Sequence, residues 1–236
     1  MSKYARSADV YDALALAKTD YAKEAEWLHR FIQEHRHTDS NVLLDVACGT
    51  GLHLEVLRRW YTVEGLDLSE GQLAVARKRL PDVPFYHADM TQFATAKQYD
   101  AITCLYGAIG ELLELKEVNS AIRSMALHLK PGGVLIVEPW LRPEQFQDGR
   151  MLSDFVDAPP LTVARMTIAQ RQGKIVDLYM HYMVGRPGSI EEFVEHHQEA
   201  LHTVDEYLNA FNLAGLETAY DAEGLRGRGL FFATRP

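Results

Sequence analysis

The sequence predicts an α/β fold: a Rossmann-like, mostly parallel sheet covered by helices on both faces, with a small antiparallel β insertion toward its C-terminal end. Three observations carry this. Short apolar runs alternate with helical patterns between residues 42 and 138. The runs Val42–Ala47, Tyr99–Tyr106 and Val134–Glu138 are apolar nearly throughout, as strands buried on both faces should be. Past residue 160 the pattern changes to long extended segments around a Gln172-Gly173 pair. Alternating strands and helices joined by right-handed crossovers generate a parallel sheet.

Residues 1–19 read as a weakly helical arm. Tyr21, Ala25, Leu28 and Ile32 recur at helical spacing over 20–35 and predict an amphipathic helix. The first strand, Val42 to Ala47, is broken by Cys48-Gly49-Thr50-Gly51, and Leu52 to Trp60 reads as a helix. Val63 to Leu68 is the second strand. Ser69-Glu70-Gly71-Gln72 is a capping box that opens a helix, which Pro81 ends. Val83–Ala88 and Tyr99–Tyr106 are the third and fourth strands. A helix over Val118–Leu129, a tight turn at Lys130-Pro131-Gly132-Gly133 and a fifth strand Val134–Glu138 follow. The extended segments Leu161–Arg171 and Lys174–Val184 form a hairpin, and Ile190–Ala200 is a third extended segment. A helix over Val204–Ala214 precedes strands Leu216–Tyr220 and Leu230–Thr234, which bring the main sheet to seven.

Composition excludes several classes. A chain of 236 residues with 47% apolar content suits one well-cored domain. No run approaches the roughly 20 apolar residues of a membrane span, and the first residues lack the apolar core of a secretory signal, so a cytoplasmic protein with no membrane partner is expected. The net charge is −9, and nucleic-acid binders concentrate basic charge, so no nucleic-acid partner is expected. Cys48 and Cys104 are not grouped with each other or with histidines. Neither a disulfide nor a metal site is predicted.

The segment Asp45-Val46-Ala47-Cys48-Gly49-Thr50-Gly51 lies where the first strand turns into the first helix. Glycine there lets a ligand approach the backbone closely. A dinucleotide site requires G-x-G-x-x-G, but Leu54 stands at the third glycine. A P-loop would need Gly-Lys-Ser/Thr, which is absent. Two acids close the next strands, Asp67 in Gly65-Leu66-Asp67-Leu68 and Asp89 in His87-Ala88-Asp89-Met90. The first can accept ribose hydroxyls; the second can accept from an adenine amino group, with Met90 against the ring. Ligands of open α/β sheets bind beyond the carboxyl ends of the strands.

Taken together, DVACGTG, GLDLS, HADM, YDAITCLY and LKPGGVLIVE resemble the successive motifs of the class I S-adenosylmethionine-dependent methyltransferases. The resemblance implies that S-adenosylmethionine is the cofactor and S-adenosylhomocysteine its product. It places Gly49 and Gly51 beside the methionine moiety, Asp67 on the ribose, and Asp89 and Met90 at the adenine. Asp45, Ala47, Leu68, Leu105 and Tyr106 complete the expected cofactor contacts. A narrower likeness lies in ADVYD near the start, VEPW at Val137–Trp140, VAR…MHYMV and GRGLFF. These resemble the N,N-dimethyltransferases of nucleotide-linked 3-amino deoxysugars in macrolide antibiotic pathways. Residues 1–236 then form one methyltransferase domain: a helical arm (1–38), a cofactor-binding core (39–140), an antiparallel substrate-side insertion (141–202), and the last helix with the closing strands (203–236).

A sulfonium is already an activated methyl donor, so the protein must position a neutral amine in line with it and exclude water. Any base serves only to remove a proton. Tyr11 in the arm, Glu111 just past the fourth strand and His181 in the hairpin are the expected catalytic residues. The amino-sugar family tends to carry histidine near position 111, so Glu111 is a departure. Along the hairpin, Val176, Leu178, Met180, Tyr182 and Val184 share one face, expected to be core. Asp177, Tyr179 and His181 share the other, expected to line a polar pocket. Trp140, Arg165, Tyr179, His197 and Arg228 are the expected acceptor contacts, with the two arginines able to reach a diphosphate. A small-molecule acceptor is the expected partner, and the insertion is equally suited to be a lid or a homodimer surface. O-methylation, nicotinamide-dependent oxidoreduction and noncatalytic S-adenosylmethionine binding remain the alternatives.

Overall fold

The computed structural model describes residues 7–236; the first six residues of the expected arm lie outside them. The arm carries α1 (Ala8–Leu16), followed by α2 (Tyr21–His35), β1 (Val42–Val46), α3 (Leu52–Leu57), β2 (Thr62–Asp67), α4 (Glu70–Arg79), β3 (Phe85–His87) and β4 (Tyr99–Cys104). A 3-10 turn (Ala108–Glu111), α5 (Leu115–His128) and β5 (Leu129–Val137) come next. Four strands then run in sequence: β6 (Met151–Ala158), β7 (Leu161–Gln172), β8 (Ile175–Arg186) and β9 (Ser189–Ala200). The chain closes with α6 (Val204–Leu213), β10 (Glu217–Asp221) and β11 (Leu230–Thr234). No helix among the described residues is long and apolar enough to cross a membrane.

The main sheet has seven strands in the order β3-β2-β1-β4-β5-β11-β10. Only β11 runs against its neighbours. The continuous apolar strands are buried on both faces, as their sequences require. On one side, Leu44, Ile102, Leu135 and Phe231 pack with Ile122 and Met125 of α5 and Phe211 of α6. On the other, Leu43, Ala101 and Ile136 pack with Leu28 and Ile32 of α2, Leu57 of α3 and Leu73 of α4. Each large aliphatic side chain withdrawn from water in these layers stabilises the fold by about 1.5–3 kcal/mol.

Two details depart from expectation. Lys130–Gly133 is not a turn ahead of β5 but an outward bulge within it: Tyr99 pairs with Leu129, and Ala101 already pairs with Val134. Gly132 is held on both sides, its N–H donating to Arg235 O at 2.7 Å and its carbonyl accepting from His37 N at 2.8 Å. It sits at φ +77°, and a Cβ there would fall 2.9 Å from the His37 carbonyl oxygen. The second departure is β6, which extends the expected insertion to a four-stranded antiparallel sheet, β6-β7-β8-β9.

One face of this second sheet is covered. Val163, Met180, Tyr182, Val184 and Phe193 pack on Val10 and Leu14 of α1. Ala169 and Val176 pack with Leu201, next to Trp140, Leu141 and Phe146. The arm ties the two sheets together. Ser7 donates from its N–H and hydroxyl to the two Glu195 oxygens, at 3.1 and 2.7 Å. Lys18 pairs with Asp154, and Asp12 accepts from Thr50 Oγ1 at 2.5 Å and pairs with Arg79.

Candidate active site

The strand-end loop after β1 folds back through left-handed residues: Ala47 (φ 58°), Gly49 (φ 56°) and Gly51 (φ 80°). For Ala47 this conformation costs about 1–2 kcal/mol, which the surrounding structure must offset. Asp67, at the end of β2, organises the loop. Its Oδ2 accepts from the Gly49 N–H at 2.8 Å and its Oδ1 from the Ser69 N–H at 2.8 Å. Burial raises its carboxyl above the ordinary range, against the pull of those two N–H groups. Asp45 lies buried beneath the loop and accepts from the Thr103 hydroxyl at 2.7 Å. Burial pushes it up to about 6, while His53 and Thr103 pull it down. Asp89 follows β3, its Oδ1 accepting from the N–H and the hydroxyl of Thr91, both at 2.8 Å. Met90 is half-buried against the core and Leu68 is exposed.

Above the loop is a cavity lined by Asp45, Ala47, Gly49, Thr50, Leu105 and Tyr106 from the sheet edge, and by Tyr11, Tyr21, Leu52 and His53 from the helices. Four of the lining residues are aromatic: Tyr11, Tyr21, His53 and Tyr106. Tyr21 and Tyr106 are parallel within 5°, with centroids 6.4 Å apart, and His53 meets Tyr21 edge-on at 4.6 Å. Burial pushes the Tyr11 and Tyr21 phenols well above their ordinary range, so both are neutral hydroxyls at physiological pH.

Tyr106 also has a left-handed backbone (φ 63°). Its N–H donates to Glu138 Oε2 at 2.7 Å, and its hydroxyl bonds Thr19 Oγ1 at 2.9 Å. The same Glu138 oxygen accepts from Arg226 Nη1 at 2.6 Å, and the Arg226 guanidinium lies 4.1 Å from the Tyr106 ring centroid. Arg226 further pairs with Glu24, which His53 Nε2 meets at 3.0 Å.

The 3-10 turn places Glu111 near Asp67, close enough to raise its carboxyl. Gly107 and Gly110 let other groups approach this turn. A Cβ on Gly107 would lie 3.1 Å from Trp140 and 3.2 Å from Arg228, and one on Gly110 would lie 2.8 Å from Glu199 Oε2. Arg228 Nη1 donates to Tyr106 O at 3.4 Å. Trp140 and Arg228 therefore approach this turn beside Tyr106.

The hairpin buries the expected core face, Val176, Met180, Tyr182 and Val184, but its opposite face does not line the pocket. Tyr179 and His181 point outward from the second sheet, away from the arm and the cavity, and both are exposed. Tyr179 stacks on His196, with ring centroids 4.6 Å apart. The polar residues lie instead among the apolar side chains of the inner face. Arg165 is opposite Tyr182 and bonds Asp154 through Nε and Nη2 at 2.9 and 2.6 Å. His197 is buried, 3.5 Å from Glu195. The error arises because α1, remote in sequence, covers the apolar face and brings the polar groups with it.

Four residues at the cavity escaped the sequence reading: Tyr21, His53, Glu138 and Arg226. Glu138 carried a usable signal, being a third acid directly after an apolar strand. Arg226 carried none, since its partners come from α2 and from the residue after β5.

The residues present fit an adenosyl sulfonium. Gly49 puts no side chain into the cavity, the wall is aromatic, and among the described residues the lining carries the Asp45 carboxylate with no lysine or arginine. Comparison with known proteins agrees. A methyltransferase-domain family profile matches residues 43–133. The dTDP-3-amino-3,6-dideoxy-α-D-glucopyranose N,N-dimethyltransferase of Streptomyces fradiae is 39% identical over 227 residues, covering 95% of this chain and 89% of the relative. Streptomyces venezuelae DesVI superposes with a TM-score of 0.92 at 39% identity, over 97% of this chain and 98% of DesVI. CalS10, an amino pentose methyltransferase from Micromonospora echinaspora solved with S-adenosylmethionine bound, superposes with a TM-score of 0.85 at 39% identity, over 97% and 95% of the two chains. The chain is thus an S-adenosylmethionine-dependent N-methyltransferase and belongs to the family of the dTDP-amino-deoxysugar N,N-dimethyltransferases.

Proposed function

We propose that this chain methylates the amine of a nucleotide-linked 3-amino deoxysugar, with the donor in the cavity above Gly49 and the acceptor between that cavity and the inner face of the second sheet. The approach of Trp140 and Arg228 to the turn that leads from Tyr106 to Glu111 carries this reading. The bound cofactor supplies an electrophilic methyl group. Gly49 and Gly51 leave room for its amino-acid end, with Asp45 and Ala47 beneath. Asp67 accepts from the ribose, and Leu68, Asp89 and Met90 border the adenine. Leu105 and Tyr106 close the wall.

On the acceptor side, Glu111 attracts the ammonium and takes its proton, so that a neutral amine faces the methyl group. Tyr11 is a neutral hydrogen-bonding phenol near the reacting atoms. Trp140 and His197 shape the sugar pocket, and Arg228 offers its fork of donors to the diphosphate. Arg165, already bonded twice to Asp154, serves the pocket through the arm that Asp154 and Lys18 anchor. The arm, core, insertion and closing elements act as one catalytic unit in the cytoplasm, where such a charged substrate would be made.

The outer face of the second sheet exposes Phe155, Met166, Met183, Ile190 and Val194. An exposed apolar patch of this kind is unusual for a monomer. A second copy of the chain related by a two-fold axis would cover it.

Matched acceptors test the assignment. A 3-amino sugar nucleotide should be methylated, whereas its 3-hydroxy counterpart should not. Transfer to the hydroxy sugar at an equal rate would overturn the assignment to nitrogen.

A further inference from the structure

We propose that Arg226 is a positioning residue for methyl transfer, because its single guanidinium fixes both the Tyr106 wall and α2 around the donor. This rests on the reading that the cavity holds S-adenosylmethionine.

Three contacts leave one side chain. Nη1 donates to Glu138, Nη2 pairs with Glu24, and the guanidinium lies over the Tyr106 ring at 4.1 Å. Arg226 is only 16% exposed, and Glu138 is 0% exposed, so this is not a solvated surface pair. The contacts form a circuit. Arg226 meets Glu24, Glu24 meets His53, His53 meets Tyr21, Tyr21 stacks on Tyr106, and Tyr106 returns to Arg226. Tyr21, His53 and Tyr106 all line the cavity.

The circuit also holds Tyr106 in its strained backbone. The Tyr106 N–H and Arg226 Nη1 share Glu138 Oε2. Without the guanidinium, a fully buried carboxylate would lose its counter-charge, which favours its movement. The anchor of the Tyr106 N–H would go with it. Lysine cannot replace this arrangement. Its ammonium carries the charge but has no planar fork to serve two acids and stack on a ring at once.

Binding of S-adenosylhomocysteine, measured by calorimetry, tests the proposal on wild type, Arg226→Lys, Tyr106→Leu and the double variant, with thermal midpoints recorded alongside. Each single variant should weaken binding by about tenfold or more. The double variant should be little worse than either one, because both remove the same wall. The ratio of kcat for Arg226→Lys to wild type should stay low at saturating donor. A loss of thermal stability without a change in affinity or kcat, or fully multiplicative losses in the double variant, would overturn the positioning role. If Arg226→Lys fails to fold, Glu24→Gln removes one arm of the fork and should reproduce the affinity loss in part; unchanged affinity and kcat would overturn the role. Wild type that binds no S-adenosylhomocysteine would refute the donor-site reading itself.

Discussion

The Gly49 N–H donates to Asp67 Oδ2 over 2.8 Å, so the loop after the first strand and the end of the second are one rigid unit. Asp67 cannot be altered without loosening the backbone that faces the donor. Asp67→Ala should weaken S-adenosylmethionine binding by more than about tenfold, or 1.4 kcal/mol. It should also lower the melting temperature, since the Gly49 and Ser69 N–H groups lose a charged acceptor. Calorimetry and thermal denaturation on the same preparations check both.

Glu111→Gln separates chemistry from donor binding. On the proposed reading Glu111 serves the acceptor and not the donor, so donor affinity should stay near wild type. Turnover with an amine acceptor should fall by about 10²-fold, as expected when a positioned proton acceptor is lost. Glu111→His should recover part of that rate, because the imidazole can also accept a proton. Steady-state kinetics with both variants decides.

Donor affinity should depend on pH through Asp45, whose carboxyl burial pushes up to about 6. Below that pH the group is neutral; above it a negative charge lies beneath a cationic ligand. Binding should therefore tighten as pH rises from about 5 to about 7, and Asp45→Asn should flatten the change. For folding the sign is opposite. A carboxyl raised above its unfolded value of 3.8 contributes stability that fades as pH rises from 3.8 toward 6.

Asp100 shows the reverse linkage. It is fully buried and accepts from the Val42 N–H at 2.7 Å, from the Ser40 hydroxyl at 2.8 Å and from Lys130 at 3.1 Å. Burial raises its carboxyl, but these donors together with Thr38 hold it below the ordinary value of 3.8. Its contribution is complete above that value and is lost as pH falls through its lower folded value. Asp100→Asn should cost about 2 kcal/mol of stability at neutral pH. The loss should shrink in acid, as chemical denaturation across pH can measure.

If two copies pair through the outer face of the second sheet, Met166→Glu should convert a dimer to a monomer. A charge would then be desolvated at the centre of the patch. Light scattering on both proteins reads the mass directly.

The legible parts of this molecule are local. Gly49, Asp67 and Asp89 could be found because each lies at the end of an apolar run, and a parallel sheet brings such ends to one edge. The seven main strands were legible for the same reason. β6 was not, because most of its side chains are exposed on an edge strand and leave no periodic trace. Alternation along β8 identified the covered face, but not that Val10 and Leu14 of α1 cover it or that Arg165 and His197 are buried on that side. Arg226 depends on Glu24, 202 residues away, and no pattern within either segment announces that contact.

Mass spectrometry of a dTDP-3-amino deoxysugar incubated with the wild-type protein and S-adenosylmethionine decides the activity. The sugar nucleotide should gain first one and then two methyl groups, both on nitrogen, with one S-adenosylhomocysteine formed per methyl group transferred. An unchanged sugar nucleotide, recovered while calorimetry shows both ligands bound, would contradict it.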